Sequence, residues 1–338
     1  MLTAAKICAS LDIFSKLASE SGPKSATELA EASGAEPKLL ERFLRHLVNR
    51  NIVEEAGPGL FEANAVTKLY ASAHGAAIVM HMYESNSRLL AHADEALRKT
   101  GYRMPLEESE SLFRLATGID TDYFTWLNRP GNESRLDRFQ KTMEFTAYGA
   151  KWFQTIPLDE ILGGKHDVST DAPLIVDVGG GFGQEMVAFH QAQSDRSGRL
   201  IFQDLEATIH RVDAAGISPV EAQVHDFFTP QPVQGAKAYF LKRILHDWDK
   251  EKCISILRNL KGAMKPLYSK ILVLDLVVAD MSADWYSTGS DIMMMLALSA
   301  TERREKEWRE MIAEAGLQVS KIWDTEDADG KLIEIVLA

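Results

Sequence analysis

Cysteine is nearly missing from the chain: Cys8 and Cys253 are the two among 338 residues. Two thiols build neither a disulfide framework nor a cysteine-rich metal site, which fits a reducing compartment such as the cytoplasm. A basic surplus is missing as well. The formal charge is −12 at pH 7, and a duplex-binding surface ordinarily goes with a basic balance, so no nucleic-acid partner is expected. No apolar run reaches the length of a membrane span and no signal-peptide pattern opens the chain, so no membrane partner is expected either. Internal repeats and low-complexity segments are absent. What is there, 46% hydrophobic and 25% charged residues, is the make-up of a water-facing globular chain long enough for two domains.

To about Leu162 the pattern is almost wholly helical. Apolar residues recur at three- and four-residue spacing over Ala4–Leu17, and the chain opens directly on this pattern (Ala4 to Phe14), which leaves room for a segment upstream of Met1. Ser25 and Glu28 have capping-box spacing at a helix start. A second helix is expected over Pro37–Asn49, with Leu39, Leu40, Phe43, Leu44 and Leu47 on one face. A hairpin with a Gly57-Pro58-Gly59 turn follows over Ile52–Ala63. Helix, turn, helix, hairpin is the order of a winged helix. Such a module reads DNA or forms a dimer, and Glu36 and Glu41 beside Lys38, Arg42 and Arg45 in an acidic chain favour the dimer.

From Asp171 the pattern changes. Strand-length apolar runs occur at Leu174–Val178, Arg199–Gln203, Ala238–Leu241, Lys270–Val278 and Lys331–Leu337, with helical stretches between the earlier ones. Alternation of this kind implies a doubly wound, Rossmann-like α/β sheet with helices on both faces, which binds ligands at the carboxyl ends of its strands. Three segments are expected: a winged-helix-like dimerisation domain over 1–105, a helical linker over 106–165 that contributes to a substrate pocket, and the sheet domain over 166–338.

The first strand ends in Asp177, and Gly179, Gly180, Gly181 and Gly183 follow it. Glycine lets the backbone turn sharply and approach a ligand closely. The spacing does not suit the dinucleotide fingerprint G-x-G-x-x-G, because Gln184 and Met186 stand where its third glycine belongs. A diphosphate usually needs that glycine; S-adenosylmethionine (SAM), which has no diphosphate, does not. The plain structural alternative is a tight strand-to-helix turn. Asp204, just after the second strand, is placed to accept from both hydroxyls of a ribose or to cap a helix. Asp226 and Phe227 suit an adenine amino group and ring face, or a turn before a buried aromatic. His246 opens a helix at the predicted ligand edge, where a neutral imidazole can take a substrate proton.

On these segments, and on Leu241–Trp248 and Thr301–Trp308, the chain resembles the plant- and fungal-type small-molecule O-methyltransferases, which have the class I SAM-dependent fold. The likeness covers nearly the whole chain, the winged-helix front included. It implies that His246 is the catalytic base and that Asp275 and Glu302 flank it. It further implies that Asp177, Gly179, Gly180, Gly181, Gly183, Asp204, Leu205, Asp226, Phe227 and Lys242 hold SAM, and that the protein is a homodimer. Two positions depart from the pattern: Asp275 stands where glutamate is frequent, and Phe182 where a small residue is common. The substrate is expected between the His246 edge and the helical front, with Met143, Phe145, Trp152, Phe153, Met293 and Met294 as candidate lining; apolar runs of this kind also serve as core. The histidines form no compact ligand set and no carboxylate cluster is visible, so no metal is expected. The leading expectation is methylation of a phenolic or enolic hydroxyl. The alternative is a methyltransferase-like pericyclase of fungal secondary metabolism, which binds SAM without spending its methyl.

Overall fold

The computed structural model describes residues 1–19, 22–104, 111–146, 151–326 and 330–338. The chain divides into two units, one formed by 1–103 with 112–146, the other by the remainder.

In the first unit, α1 (Leu2–Ser10) and α2 (Ile13–Ala18) stand where one continuous helical pattern is predicted. The break is at Asp12, whose φ of 56° is left-handed and cannot belong to a right-handed helix. β1 (Lys24–Ser25) leads into α3 (Ala26–Ser33). The expected capping box closes there: the Glu28 amide donates to the Ser25 hydroxyl at 3.2 Å, and the Ser25 amide donates to Glu28 Oε2 at 2.7 Å. α4 (Pro37–Val48) buries Leu40, Leu44 and Leu47, whereas Leu39, expected on the same face, is exposed. β2 (Glu54–Gly57) and β3 (Leu60–Glu62) make the hairpin, and β1 pairs with β3 to complete a three-stranded wing. α5 (Ala65–Ala71), α6 (Ala73–Lys99), α7 (Leu112–Thr117), α8 (Tyr123–Leu127) and α9 (Glu133–Thr146) follow. Because α7 and α9 pack along α6, residues 112–146 group with the front unit, where the sequence reading set 106–165 apart as a linker.

The second unit begins with α10 (Trp152–Thr155) and α11 (Leu158–Leu162). Then come β4 (Pro173–Val178), α12 (Gln184–Ala192), β5 (Arg199–Asp204), α13 (Glu206–Ile209), α14 (Ala214–Ile217), β6 (Glu221–Val224) and β7 (Ala238–Lys242). α15 (Lys250–Lys261), β8 (Lys270–Asp275), β9 (Val277–Val278), α16 (Trp285–Leu298), β10 (Arg303–Arg304), α17 (Glu305–Glu314), β11 (Leu317–Trp323) and β12 (Lys331–Leu337) complete it. Seven strands form one sheet in the order β11-β12-β8-β7-β4-β5-β6, parallel from β8 to β6, with β12 antiparallel to both its neighbours. The strand sequence reverses between β4 and β7, so the turns after these two strands flank one crevice.

Period-two alternation sorts the strand side chains into two cores. Val176, Val178, Tyr239, Leu241, Ile271 and Val273 join the core formed with α15 and α17; Ile175, Phe240, Leu272 and Leu274 join that of α10, α11 and α12. Strands buried on both faces read as continuous apolar runs, which is why these are visible in the sequence. The two edge strands, β6 and β11, are not: charged and amide side chains such as Glu221, Gln223, Gln318 and Lys321 break their runs. The predicted strand Lys270–Val278 is interrupted at Leu276, after which β9 leaves the main sheet to pair in parallel with β10. Gly330 lies against this bend with φ 121°, and a β-carbon there would stand 2.3 Å from the Asp275 carbonyl oxygen. Among the described residues, no helix is long and apolar enough to cross a membrane.

Trp152 and Phe153, expected as pocket lining, are core residues at 0% and 3% exposure. The Trp152 indole stacks on Phe240 (centroids 4.9 Å apart, 24°) and Phe189 (6.0 Å, 18°). Deleting such a side chain leaves a cavity as well as lost burial. Trp152→Ala is expected to lower stability by about 3–5 kcal/mol in urea unfolding; an unshifted midpoint would put the indole outside the core.

Candidate active site

β4 delivers Asp177 and the glycine turn to the crevice. Asp177 is buried, and burial, reinforced by the charge on Glu185, pushes its carboxyl well above the ordinary range. Gly183 caps α12 with φ 80°, and a β-carbon there would lie 2.6 Å from the Phe202 ring. Gly181, by contrast, is not crowded: the atoms nearest its missing β-carbon are those of the Gln184 amide, at 3.9 Å. The Gly181 amide donates to Asp204 Oδ2 at 3.0 Å, and the Leu205 amide donates to Oδ1 at 2.8 Å. Asp204, at the end of β5, is therefore tied to the glycine turn from the neighbouring strand. Leu205 beside it is exposed. The Phe227 ring lies 3.6 Å from the β-carbon position of Gly179, with Ile244 on the same side of the turn. Asp226 is exposed, and its Oδ1 accepts from the Phe228 amide at 2.9 Å. Lys242, at the end of β7, pairs with Glu185 Oε2 at 3.1 Å, and Lys151 reaches the same oxygen at 3.3 Å. Glu185 Oε1 is buried without a hydrogen-bond partner.

The second turn, after β7, carries His246 in the three-residue 3₁₀ segment Leu245–Asp247. The imidazole is 5% exposed. Its Nδ1 lies 2.9 Å from Glu302 Oε1 and 4.0 Å from Asp275 Oδ1, and its Nε2 lies 3.3 Å from Asp247 Oδ1. Glu302 is itself held: the Ser290 hydroxyl of α16 donates to Oε1 at 2.7 Å, the Arg243 guanidinium stands 3.7 Å away, and the Glu302 amide donates to Asp291 Oδ1 at 2.9 Å. Burial opposes the charge on His246, but Asp247, Asp275 and the hydrogen bond to Glu302 outweigh it and lift the imidazole to about 9. Burial lifts Asp247 to about 6, and it also raises Asp275. Burial works against the charge on Glu302 too, yet the His246 bond wins and its carboxyl falls below the usual range.

The structure thus brings His246, Asp275 and Glu302 together, and it gathers the glycine turn, Asp204 and Phe227 at the neighbouring turn. Asp247, Arg243, Ser290 and Asp291 complete the histidine cluster, and Glu185 the lysine pair. Arg243 and Asp247 stand in the turn of His246 itself, whereas Ser290 and Asp291 come from α16 and Glu185 from α12, so no spacing marks these last three. The carboxylate cluster that the sequence does not reveal is therefore present: one atom each of His246, Asp275 and Glu302 lie within 4.8 Å of one another. An ion there would have to displace the Nδ1 proton and compete with the Arg243 guanidinium for Glu302. Met293 and Met294 are half-buried on α16, and Met143 is exposed on α9 of the front unit. The Phe145 side chain lies outside the described residues.

Comparison with known proteins agrees with this layout. A model of the O-methyltransferase domain matches residues 141–318, and one of the O-methyltransferase dimerisation domain matches residues 2–73. Methyltransferase cfoC of Aspergillus candidus is 37% identical over 96% of this chain and 80% of its own length. A solved structure described as a pericyclic reaction enzyme superposes with a TM-score of 0.91 at 30% identity, over 100% of this chain and 86% of that one. LepI in complex with SAM does so at 0.90 and 29%, with the same coverage.

Gly183→Ala is expected to cost about 1–3 kcal/mol, through the left-handed φ and the overlap with Phe202. Thermal unfolding measures it, and a melting temperature equal to wild type would mean that the turn relaxes freely.

Proposed function

The chain belongs to the O-methyltransferase family, and from that premise we propose that it methylates a hydroxyl of a phenolic or enolic small molecule, with SAM as donor and His246 as general base. The match of residues 2–73 to a dimerisation domain supports a homodimer, and likeness to the demethylsterigmatocystin 6-O-methyltransferase of Aspergillus parasiticus, 31% identical over 95% of this chain and 82% of its own length, supports a small-molecule hydroxyl as the acceptor.

The glycine turn fits the donor. Gly181 presents uncrowded bare backbone, Gly183 admits no side chain, and Asp204, Leu205 and Phe227 stand around the same turn. Asp204 suits a ribose, Phe227 and Leu205 the faces of a purine, and the unpartnered Glu185 Oε1 with Lys242 the charged amino-acid end. SAM supplies a methyl already activated on a positive sulfur, so the protein's remaining task is to align the substrate oxygen and take its proton.

The observation that carries the proposal is the 2.9 Å bond between His246 Nδ1 and buried Glu302. It fixes the ring and leaves Nε2, which stands 3.3 Å from Asp247 Oδ1, as the nitrogen that can accept a substrate proton. The acids around the ring, Asp247 and Asp275 first and the Glu302 bond after them, decide between easy and difficult transfer. A phenol titrates near ~10 and an ordinary histidine near ~6.5, a gap of about 5 kcal/mol. With the imidazole at about 9, the gap shrinks to about 1.4 kcal/mol. Release of the oxygen's proton to Nε2 then proceeds alongside methyl attack, and no free phenolate accumulates.

A second reading has its own support. At neutral pH an imidazole lifted to about 9 is protonated, and with Arg243 it offers hydrogen-bond donors suited to polarising a carbonyl rather than accepting a proton. The structural likeness to a pericyclic reaction enzyme points the same way. Under this reading SAM remains intact and the product is an isomer or a dehydrated species.

Incubation with labelled SAM and a panel of phenolic polyketides, followed by mass spectrometry, separates the two: a product heavier by one methylene supports transfer, and an isomer with SAM unconsumed overturns it. His246→Ala is expected to lower kcat by about 10²–10⁴-fold while calorimetry finds SAM affinity within a factor of about two. Turnover equal to wild type would remove the base. The pH profile has a definite sign. The base form appears only as pH rises through the imidazole's value, so kcat/KM should climb about tenfold per pH unit above neutrality and level off near about 9. If His246 acts instead as a donor, the rate is flat at neutral pH and falls above that point.

A further inference from the structure

We propose that Arg303 is a positioning residue for the reaction: its guanidinium holds the 245–248 turn by its backbone, so that the imidazole of His246 meets Glu302 and the substrate oxygen in one fixed direction. The proposal deepens the reading of His246 as the group that meets substrate and rests on it.

The turn needs outside support. It is a three-residue 3₁₀ segment, a form with poor hydrogen-bond geometry. Its own backbone bonds are long: the Asp247 amide donates to Ile244 O at 3.2 Å and the Trp248 amide to Leu245 O at 3.4 Å. It is entered through Arg243 at φ 55°, a left-handed conformation costly for a side chain with a β-carbon. Within the turn itself, then, little fixes its path; Glu302 meets the ring from outside, and the Cys253 thiol of α15 donates to Leu245 O at 3.1 Å and to Trp248 O at 3.4 Å.

Arg303 supplies what the turn lacks. It is 3% exposed. Its Nη1 donates to Leu245 O at 2.8 Å and its Nη2 to Trp248 O at 2.7 Å. These carbonyls bracket His246 and Asp247. The fork of a guanidinium matches two acceptors at once, which a lysine ammonium on a flexible stem cannot do with the same geometry. The guanidinium also lies over the Trp308 ring, 5.4 Å from its centroid, and the Trp308 indole N–H donates to Leu276 O at 3.1 Å. Leu276 adjoins Asp275. Arg303 itself adjoins Glu302. Two consecutive residues thus grip His246 from different sides, Glu302 by the ring and Arg303 by the main chain, while Trp308 ties the same guanidinium to the strand end that carries Asp275.

A guanidinium that only filled space would affect stability alone. One that aims the imidazole affects turnover, because a misplacement of about 1 Å in reacting groups costs on the order of 10²-fold. The test uses the full chain carrying Arg303→Lys, with Ile256→Val as a control that trims the same core without removing a hydrogen bond, Ile256 being fully buried in the cluster that holds Leu245. Three quantities are read: kcat, SAM affinity by calorimetry, and the His246 imidazole titration by NMR. For Arg303→Lys, kcat should fall about 10–100-fold with SAM affinity within about twofold, and the imidazole titration should move down from about 9 as its acids lose alignment. Ile256→Val should leave all three at wild-type values. If Arg303→Lys keeps wild-type kcat and titration, the proposal is overturned although methyl transfer by His246 stands. If the wild-type chain transfers no methyl but Arg303→Lys still moves the titration, the base reading fails and the positioning role survives. If both variants lose turnover equally, Arg303 is merely structural.

Discussion

One buried imidazole has to be kept company. His246 sits among Asp247, Asp275 and Glu302, with Arg243 against the last of them. In a medium of low dielectric each of these charges is tolerated only because the others are there; removing one partner from such a group typically costs about 3–5 kcal/mol. The acids arrive from the turn after β7, the end of β8 and the loop after α16. Those elements must dock together for any of them to be ionised comfortably. The arrangement of the second unit is therefore constrained by its electrostatics as much as by its apolar cores.

The sheet's reversal between β4 and β7 separates two kinds of work. On the β4 side the chain offers bare backbone, a carboxylate tied to an amide, and an aromatic edge: a surface for recognising a nucleoside-like group by shape. On the β7 side it offers a dense charged cluster whose effect is on proton affinity. The two meet at adjacent turns, and Lys242 with Glu185 lies between Asp177 and the histidine turn. In the proposed reaction, donor and acceptor of the methyl are held by different residues, and each set can change without the other.

Much of this was legible, for local reasons. Five strands show as apolar runs because both their faces are buried, the Ser25–Glu28 box because capping is fixed by three-residue spacing, and the glycine turn because only glycine serves there. Other features were hidden because their causes are tertiary. The Asp12 break leaves the apolar spacing of Ala4–Leu17 intact. Edge strands β6 and β11 lose their runs to solvent-facing side chains. Trp152 looks the same in a core or a pocket until Phe240 and Phe189 are seen against it. The acids around His246 are up to 56 residues away along the chain, so family resemblance, not spacing, pointed to Asp275 and Glu302. Asp247 and Arg303 were in plain view beside known motif residues, yet nothing in their neighbourhood revealed what their side chains would touch.

The bare contact at Gly330 has a practical corollary. That glycine presses on the carbonyl of Asp275 from the hairpin of the last two strands, far in sequence from everything else at the site. Anyone seeking altered selectivity by laboratory evolution would naturally randomise the crevice. A side chain on this hairpin would have to displace the peptide plane that follows Asp275, and so would reach the histidine cluster from outside the crevice.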